Sequence, residues 1–373
     1  MNFSKPNLNI GVIGSGFMGK THVYGFAIAD RVFDLPYKLN LISIADVNSK
    51  VANSAAKKLG FQKSTANWLN LINDKQLDLI SITAPNSLHK DIAIAALKAN
   101  KHVYCEKPLA PTLKETQEML EASKRTNKKT QVGFNYLSNP MFSTAKEIIS
   151  NGDLGEITNF RGIHAEDYMS DPKSPYTWRH EPIGGGVLAD LGSHILATAE
   201  YLLGPIKEVM GDCTTAIKKR KTIDNKTKNI KIDDISRCFI RFKSGATGSI
   251  EANWLATGCK MKHDFEINGT LGSISYSQER LNELNFFSKK DKQGFQGFRK
   301  IEAGPEHEPY GRFCVAPGHQ LGFNDLKAIE ISKFVQAIDG TESEPFNFER
   351  GQRIQLLVDA IRKSSEEKIW IKV

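Results

Sequence analysis

The opening stretch of the chain alternates short apolar or β-branched runs with amphipathic segments. Leu8–Ile13, Leu39–Ala45, Leu79–Thr83, His102–Cys105 and Thr130–Phe134 read as strands, with helical patterns such as Lys50–Leu59 and His89–Ala99 between them. Strands separated by helices predict an α/β domain over residues 1–135, a doubly wound parallel sheet with helices on both faces. After Asn135 the rhythm changes. A helix over about Pro140–Asn151 and a strand over Ile157–His164 lead into a loop rich in Pro, Ser and Asp, and then into a helix from about Gly186 to Leu203. Strands follow in succession: Glu208–Ile217, Ile235–Phe242, Ala246–Trp254, Asp264–Asn268, Ser273–Ser277 and Leu284–Phe287. Residues 136–373 therefore predict an α+β domain on a mostly antiparallel sheet. Lys289–Gly322 is Gly-rich with little periodicity, which suggests a lid or a subunit contact, and helices near Asn324–Asp339 and Arg350–Ser365 close the chain.

Composition narrows the class. A chain of 373 residues suits two domains, and 40% apolar with 25% charged residues is ordinary globular usage. No apolar stretch approaches the roughly 20 residues that cross a bilayer, and Met1–Asn9 lacks the cationic start and apolar core of a leader, so a cytoplasmic protein is expected. Cys105, Cys213, Cys238, Cys259 and Cys314 are scattered, with no C-x-x-C pair, and read as reduced thiols with no metal site. The formal charge of +8 is densest at Lys218, Lys219, Arg220 and Lys221, followed by Lys226, Lys228 and Lys231. With no aromatics among them and strands on either side, these read as a solvated hairpin loop and not a nucleic-acid face.

The chemistry begins directly after the first strand, at Gly14-Ser15-Gly16-Phe17-Met18-Gly19. Gly14 permits a tight turn, Gly16 lets backbone approach a pyrophosphate, Gly19 lets the helix pack closely, and the helix N-terminus offers N–H groups to phosphate. At the end of the second strand, the Asp46 carboxylate suits adenine ribose hydroxyls and repels a 2′-phosphate, which favours NAD over NADP. The alternative is that Asp46 only caps the helix beginning near Ser49.

Two further features carry candidate chemistry. Glu106-Lys107-Pro108 ends a strand, where ligands of open α/β sheets bind. The Lys107 ammonium can stabilise an alkoxide there, and Pro108 fixes the chain direction, compatibly with a cis bond. In Gly184-Gly185-Gly186-Val187-Leu188-Ala189-Asp190-Leu191-Gly192-Ser193-His194, a helix from about Gly186 puts Asp190 and His194 on one face at i and i+4. Small residues Gly186, Ala189, Ser193 and Ala197 flank the pair and leave room for a flat group such as a nicotinamide.

Together with Pro85-Asn86-Ser87-Leu88-His89, Trp178-Arg179 and the Asp233-Asp234 strand, these segments give the chain a resemblance to the Gfo/Idh/MocA oxidoreductases over essentially its whole length. That resemblance implies a Rossmann domain and a C-terminal domain with a large open sheet, often used to form homo-oligomers, here a dimer or tetramer. It implies a catalytic trio of Lys107, Asp190 and His194, and a cofactor set that adds Thr83, Asn86, His89, Glu106, Lys107, Asn135, Trp178 and Arg179 to the glycine-rich turn and Asp46. Within the family, Gly304–His307 and Gly318–Gln320 look like the branch of levoglucosan and inositol dehydrogenases. The implied reaction is oxidation of a secondary hydroxyl on a sugar or cyclic polyol. His164, Tyr168, His263 and His319 are candidates to line the substrate site. Two rival readings are an NAD-dependent glycosidase working by transient oxidation and elimination, and a dinucleotide-binding sensor without turnover.

Overall fold

A computed structural model describes residues 5–341 and 346–373; the leader-free reading of Met1–Asn9 falls partly outside them. The chain divides into two units, one of residues up to Ser138 with Gly322–Arg353, the other of Asn139–Leu321 with Ile354–Val373. The boundary expected near residue 135 is thus accompanied by a return of the late chain to the first unit.

In the first unit, β1 (Asn7–Ile13), β2 (Lys38–Ala45), β3 (Lys63–Thr65), β4 (Leu79–Ile82), β5 (His102–Glu106) and β6 (Thr130–Gly133) form one parallel sheet in the order β3-β2-β1-β4-β5-β6. This is the order of a dinucleotide-binding sheet, with its crevice beyond the carboxyl ends of the strands where the winding reverses. β4 and β6 are buried at every position, as strands covered on both faces require. The connecting helices are α1 (Phe17–Val32), α2 (Ser49–Leu59), α3 (Leu69–Asn73), α4 (His89–Lys98) and α5 (Leu113–Lys124). Their starts are legible: Asn48 Oδ1 accepts from Val51 N, and Thr112 Oγ1 from Glu115 N, each satisfying an N–H that the helix leaves unpaired. Gly60 closes α2 in the left-handed region at φ 81°.

The second unit opens with α6 (Pro140–Ser150), capped by Asn139, and β7 (Ile157–Ala165). The chain then runs through a π-helical turn at Leu188–Gly192 into α7 (Ser193–Leu203). Next come β8 (Ile206–Thr214), β9 (Lys219–Lys221), β10 (Thr227–Asn229), β11 (Ile235–Phe242), β12 (Thr247–Asn253), β13 (Lys262–Gly269), β14 (Gly272–Ser277), β15 (Glu283–Ser288) and β16 (Arg299–Glu302). α8 (Phe323–Asp339) belongs to the first unit, and α9 (Phe348–Glu367) and β17 (Ile371–Lys372) end the chain. Nine strands form one sheet, β16-β15-β14-β13-β7-β12-β11-β8-β17, antiparallel except where β7 meets β12. Along β11 buried and exposed positions alternate, the mark of a sheet with one covered and one open face.

The basic segment is the two-stranded hairpin β9-β10, as expected, with one difference. Arg220 points inward, 2% exposed, and its guanidinium donates to the carbonyls of Met169, Asp171 and Ser174. That arginine holds the Pro- and Ser-rich loop and is not part of the solvated face. Lys289–Gly322, read as irregular, contains β16 and a short 3-10 turn at Tyr310–Arg312. Among the described residues no helix is long and apolar enough to cross a membrane.

Candidate active site

The carboxyl edge of the first sheet gathers most of the predicted cofactor residues. Gly14 follows β1 at φ +100°, and a Cβ there would lie 2.7 Å from the Thr83 carbonyl oxygen, so both the turn and the close approach demand glycine. Thr83 Oγ1 donates to the Gly14 and Ile13 carbonyls at 2.9 and 3.1 Å, tying the turn to the end of β4. A Cβ on Gly16 would meet nothing within 4 Å. The space over Gly16 and the N-terminus of α1 is therefore open, as a pyrophosphate cradle needs. Phe17 is largely exposed beside it, stacked on Phe323 at 5.7 Å.

Asp46 is bonded to the cradle and does not cap α2; that role belongs to Asn48. Its Oδ2 accepts from Ser15 N at 2.7 Å and Ser15 Oγ at 2.5 Å, and its Oδ1 from Val47 N. Asn135, just past β6, is 3% exposed, and its Nδ2 is buried without a hydrogen-bond partner. A donor left unsatisfied in this way is costly unless a ligand completes it, and together with the open cradle it fits a bound dinucleotide.

Lys107 leaves the end of β5 half-buried, and the bond to Pro108 is cis. His89, 1% exposed, has its two nitrogens 2.9 Å from Ala84 O and 3.0 Å from Pro108 O. It therefore ties the Asn86 turn to the lysine corner. Glu106 differs from expectation: it is 5% exposed and turned into the core. Its carboxylate accepts from Lys327 Nζ at 3.0 Å, and His22 Nε2 lies 2.8 Å away. Burial works to raise the Glu106 carboxyl, yet Lys327 and His22 hold it well below the usual carboxylate range. Lys327, itself fully buried on α8, also donates to Tyr104 Oη and Glu330, and Tyr104 donates to Glu330. Burial lowers and the two carboxylates raise the Lys327 ammonium, leaving it above its ordinary value. Glu106 thus braces the strand that carries Lys107.

In the second unit the predicted pair sits on a different scaffold from the expected α-helix. Asp190 lies in the π-helical turn, while His194 is in the first turn of α7. Single π turns widen a helix locally and recur at functional sites. Gly186, at φ +98°, starts the run because a side chain there would strike Asp233 and Arg362. Asp233 Oδ2 accepts from Leu188 N at 2.6 Å, and Arg362 donates to Asp233 and to the Gly185 carbonyl. Asp234 accepts from Ala216 N, Ile217 N and Trp254 Nε1. The two aspartates of the motif are scaffold groups.

Asp190 Oδ2 accepts from Tyr168 Oη at 2.8 Å and from Arg179 Nε at 2.9 Å, and Arg179 stacks over the half-exposed Trp178 at 4.4 Å. Burial first, and then the Asp190 charge, push the Tyr168 phenol far up, so it remains a donor. Tyr168, Trp178, Arg179 and Asp190 therefore form one connected group. His164 and His263 sit beneath the surface, 1% and 0% exposed, with their ring nitrogens engaged inside the protein, so they do not line an open pocket. His319 is exposed on its loop, bonded to Ala316 O. Sequence reasoning missed Lys327, Glu166, Thr198 and Arg362, and noticed Asp233 as part of a motif without its clasp on Leu188 N.

A dinucleotide-binding sheet with an open phosphate cradle, and a lysine at its carboxyl edge, define a nicotinamide-dependent oxidoreductase. The chain belongs to the Gfo/Idh/MocA family: residues 8–134 match the model of the oxidoreductase family's NAD-binding Rossmann fold, and 142–275 that of the GFO/IDH/MocA C-terminal domain. It is 37% identical to levoglucosan dehydrogenase of Pseudarthrobacter phenanthrenivorans, over 98% of each chain. It is 27% identical to myo-inositol 2-dehydrogenase of Thermotoga maritima, again over 98% of each. Among solved structures, levoglucosan dehydrogenase in complex with NADH and levoglucosan matches with a TM-score of 0.95 at 37% identity, covering 98% of this chain and 99% of that one.

Proposed function

We propose that the protein oxidises a secondary hydroxyl of an anhydrosugar or related cyclic polyol. The observation that carries this reading is the whole-length likeness to levoglucosan dehydrogenase, whose solved complexes hold NADH with levoglucosan or L-sorbose. When bound, NAD supplies the hydride acceptor, and the glycine cradle, Asp46 and Asn135 are the groups that would hold it.

The chain's own side chains supply proton handling and orientation. His194 accepts the hydroxyl proton through its imidazole, and the Lys107 ammonium stabilises the negative charge growing on the same oxygen. Asp190, its charge balanced by Arg179 and its Oδ2 fixed by Tyr168, binds a neighbouring hydroxyl and orients the sugar. A symmetric oligomer built through the open face of the nine-stranded sheet belongs to the same proposal.

The test offers NAD or NADP with levoglucosan, inositols, free hexoses and glycosides to the purified protein, follows reduced-nicotinamide absorbance, and uses Lys107→Ala as control. The expected result is NAD reduction with the anhydrosugar or a polyol, reduced at least about 100-fold in the control while NAD binding persists. Cleavage of a glycoside without net NAD reduction would overturn the dehydrogenase reading in favour of the glycosidase. Binding without chemistry would favour the sensor.

A further inference from the structure

Beneath His194 runs a line of polar contacts that the proposed chemistry does not use. His164 on β7 has Nδ1 3.1 Å from the Leu191 carbonyl oxygen and Nε2 3.2 Å from Glu166 Oε1. Its Nδ1 also lies 3.2 Å from Nδ1 of His263, which the β7–β13 register places directly opposite. His263 Nε2 is 3.0 Å from Thr198 Oγ1. The His164 ring centre is 5.4 Å from that of His194, and the His263 centre 6.3 Å.

The partners constrain where the hydrogens sit. A carbonyl only accepts, so the hydrogen assigned to Nδ1 of His164 is shared between the Leu191 oxygen and the Nδ1 lone pair of His263. An ionised carboxylate also only accepts, so one further proton must lie between Nε2 and Glu166. His263 then turns its Nδ1 lone pair to His164 and donates from Nε2 to Thr198, which makes it neutral. Burial first, and the His164 charge second, hold His263 well below its ordinary range, in keeping with that assignment.

We propose that His164 is a standing imidazolium, held by Glu166 and the Leu191 carbonyl, whose positive charge keeps the adjacent His194 deprotonated and ready to accept a proton. The inference rests on the catalytic reading of His194 and makes His164 a positioning residue. The groups whose contacts are described enter the balance, together with the Lys107 ammonium that the proposed chemistry sets at the same oxygen and that is present in every variant. The residue after β7 contributes Glu166, β13 the neutral His263, and α7 both His194 and the uncharged Thr198. Asp190 of the π turn is balanced by Arg179, and the β12 residue paired with His164 is Ala252. Glu166 does not cancel the effect: its side chain is 18% exposed against 1% for His164, so water screens the carboxylate more than the imidazolium.

The test uses the full-length protein with ¹⁵N-labelled histidine, and long-range ¹H–¹⁵N correlations that separate imidazolium from each neutral tautomer. His164, assigned by its loss in His164→Gln, is expected to show two protonated nitrogens at neutral pH and above, and His263 a neutral Nε2–H ring. Glu166→Gln, a milder change at a partly exposed site, is expected to discharge His164. In both variants the acid limb of the kcat/KM profile should move up by about one pH unit, with KM for NAD unchanged. A neutral His164 at pH 7 would overturn the proposal whatever the activity. A charged His164 with the acid limb unmoved in both variants would overturn the coupling. Full turnover in His194→Gln would instead sink the underlying catalytic reading, while the ring spectrum of His164 stays readable.

Discussion

Acidification should loosen the first unit through one residue, His22. Its ring is fully buried on α1, with Nδ1 2.8 Å from Ser81 Oγ and Nε2 2.8 Å from Glu106 Oε1. Burial, and after it the Lys327 ammonium, depress its pKa from 6.5 to about 4, against the pull of Glu106. The unfolded chain therefore takes up a proton at His22 below 6.5, while the folded chain refuses it until about 4. Stability is full above the upper value and falls as pH descends through that window. At about 1.36 kcal/mol per pH unit, the loss attributable to His22 is about 2 kcal/mol between pH 7 and pH 5, approaching about 3 kcal/mol at pH 4. Urea titrations at pH 7, 6 and 5, followed by hydrogen exchange of peptides from β5 and α8, report the unfolding free energy of this unit alone. His89 and His102 are also depressed by burial and add their own slopes, so the informative quantity is wild type minus His22→Gln. The variant should start lower at neutral pH, having lost part of its bonding to Ser81 and Glu106, and should decline less steeply. Parallel pH slopes in the two proteins would refute the reasoning.

Two further outcomes follow from the cradle. Gly16→Val should leave the thermal midpoint within a degree or two, because its Cβ enters open space at φ −65°, yet weaken NAD binding at least about tenfold by calorimetry, because that space is where phosphate approaches. Asp46→Ala should lower kcat/KM with NAD by about tenfold and raise it with NADP, since one charge-assisted acceptor and one source of repulsion leave together; an unchanged cofactor ratio would remove Asp46 from the ribose site.

What could be read from the sequence was local. The strong alternation of Leu8–Ile13, Leu79–Thr83 and Thr130–Phe134 with amphipathic helices located β1, β4 and β6, and the glycine spacing located the cradle. β3 escaped because Lys63–Thr65 has no apolar residue, and β17 because Ile371–Lys372 is only two residues long. The π turn escaped because Gly186–Leu203 has an acceptable α-helical periodicity, and the carboxylate that receives its first N–H, Asp233 on Leu188 N, comes from 45 residues later. Lys327 and Glu330 look like solvated positions of an ordinary amphipathic helix. They are buried because α8 packs on α1 as well as facing β5, and nothing in the local pattern of Phe323–Asp339 announces a second covered face. His164 and His263 were noticed singly, but their pairing is a matter of strand register across 99 residues.

The return of Gly322–Arg353 to the first unit has a bearing on how the protein is made. During synthesis the parallel sheet emerges complete by Gly133, but the cation that answers Glu106 lies at position 327. Until it arrives, Glu106 has His22 beside it but lacks its ammonium partner, and the face that α8 covers is open to water. The first unit thus depends on residues made after most of the second. Its maturation waits on translation of the second unit, which couples the birth of the cofactor site to that of the domain expected to receive the sugar.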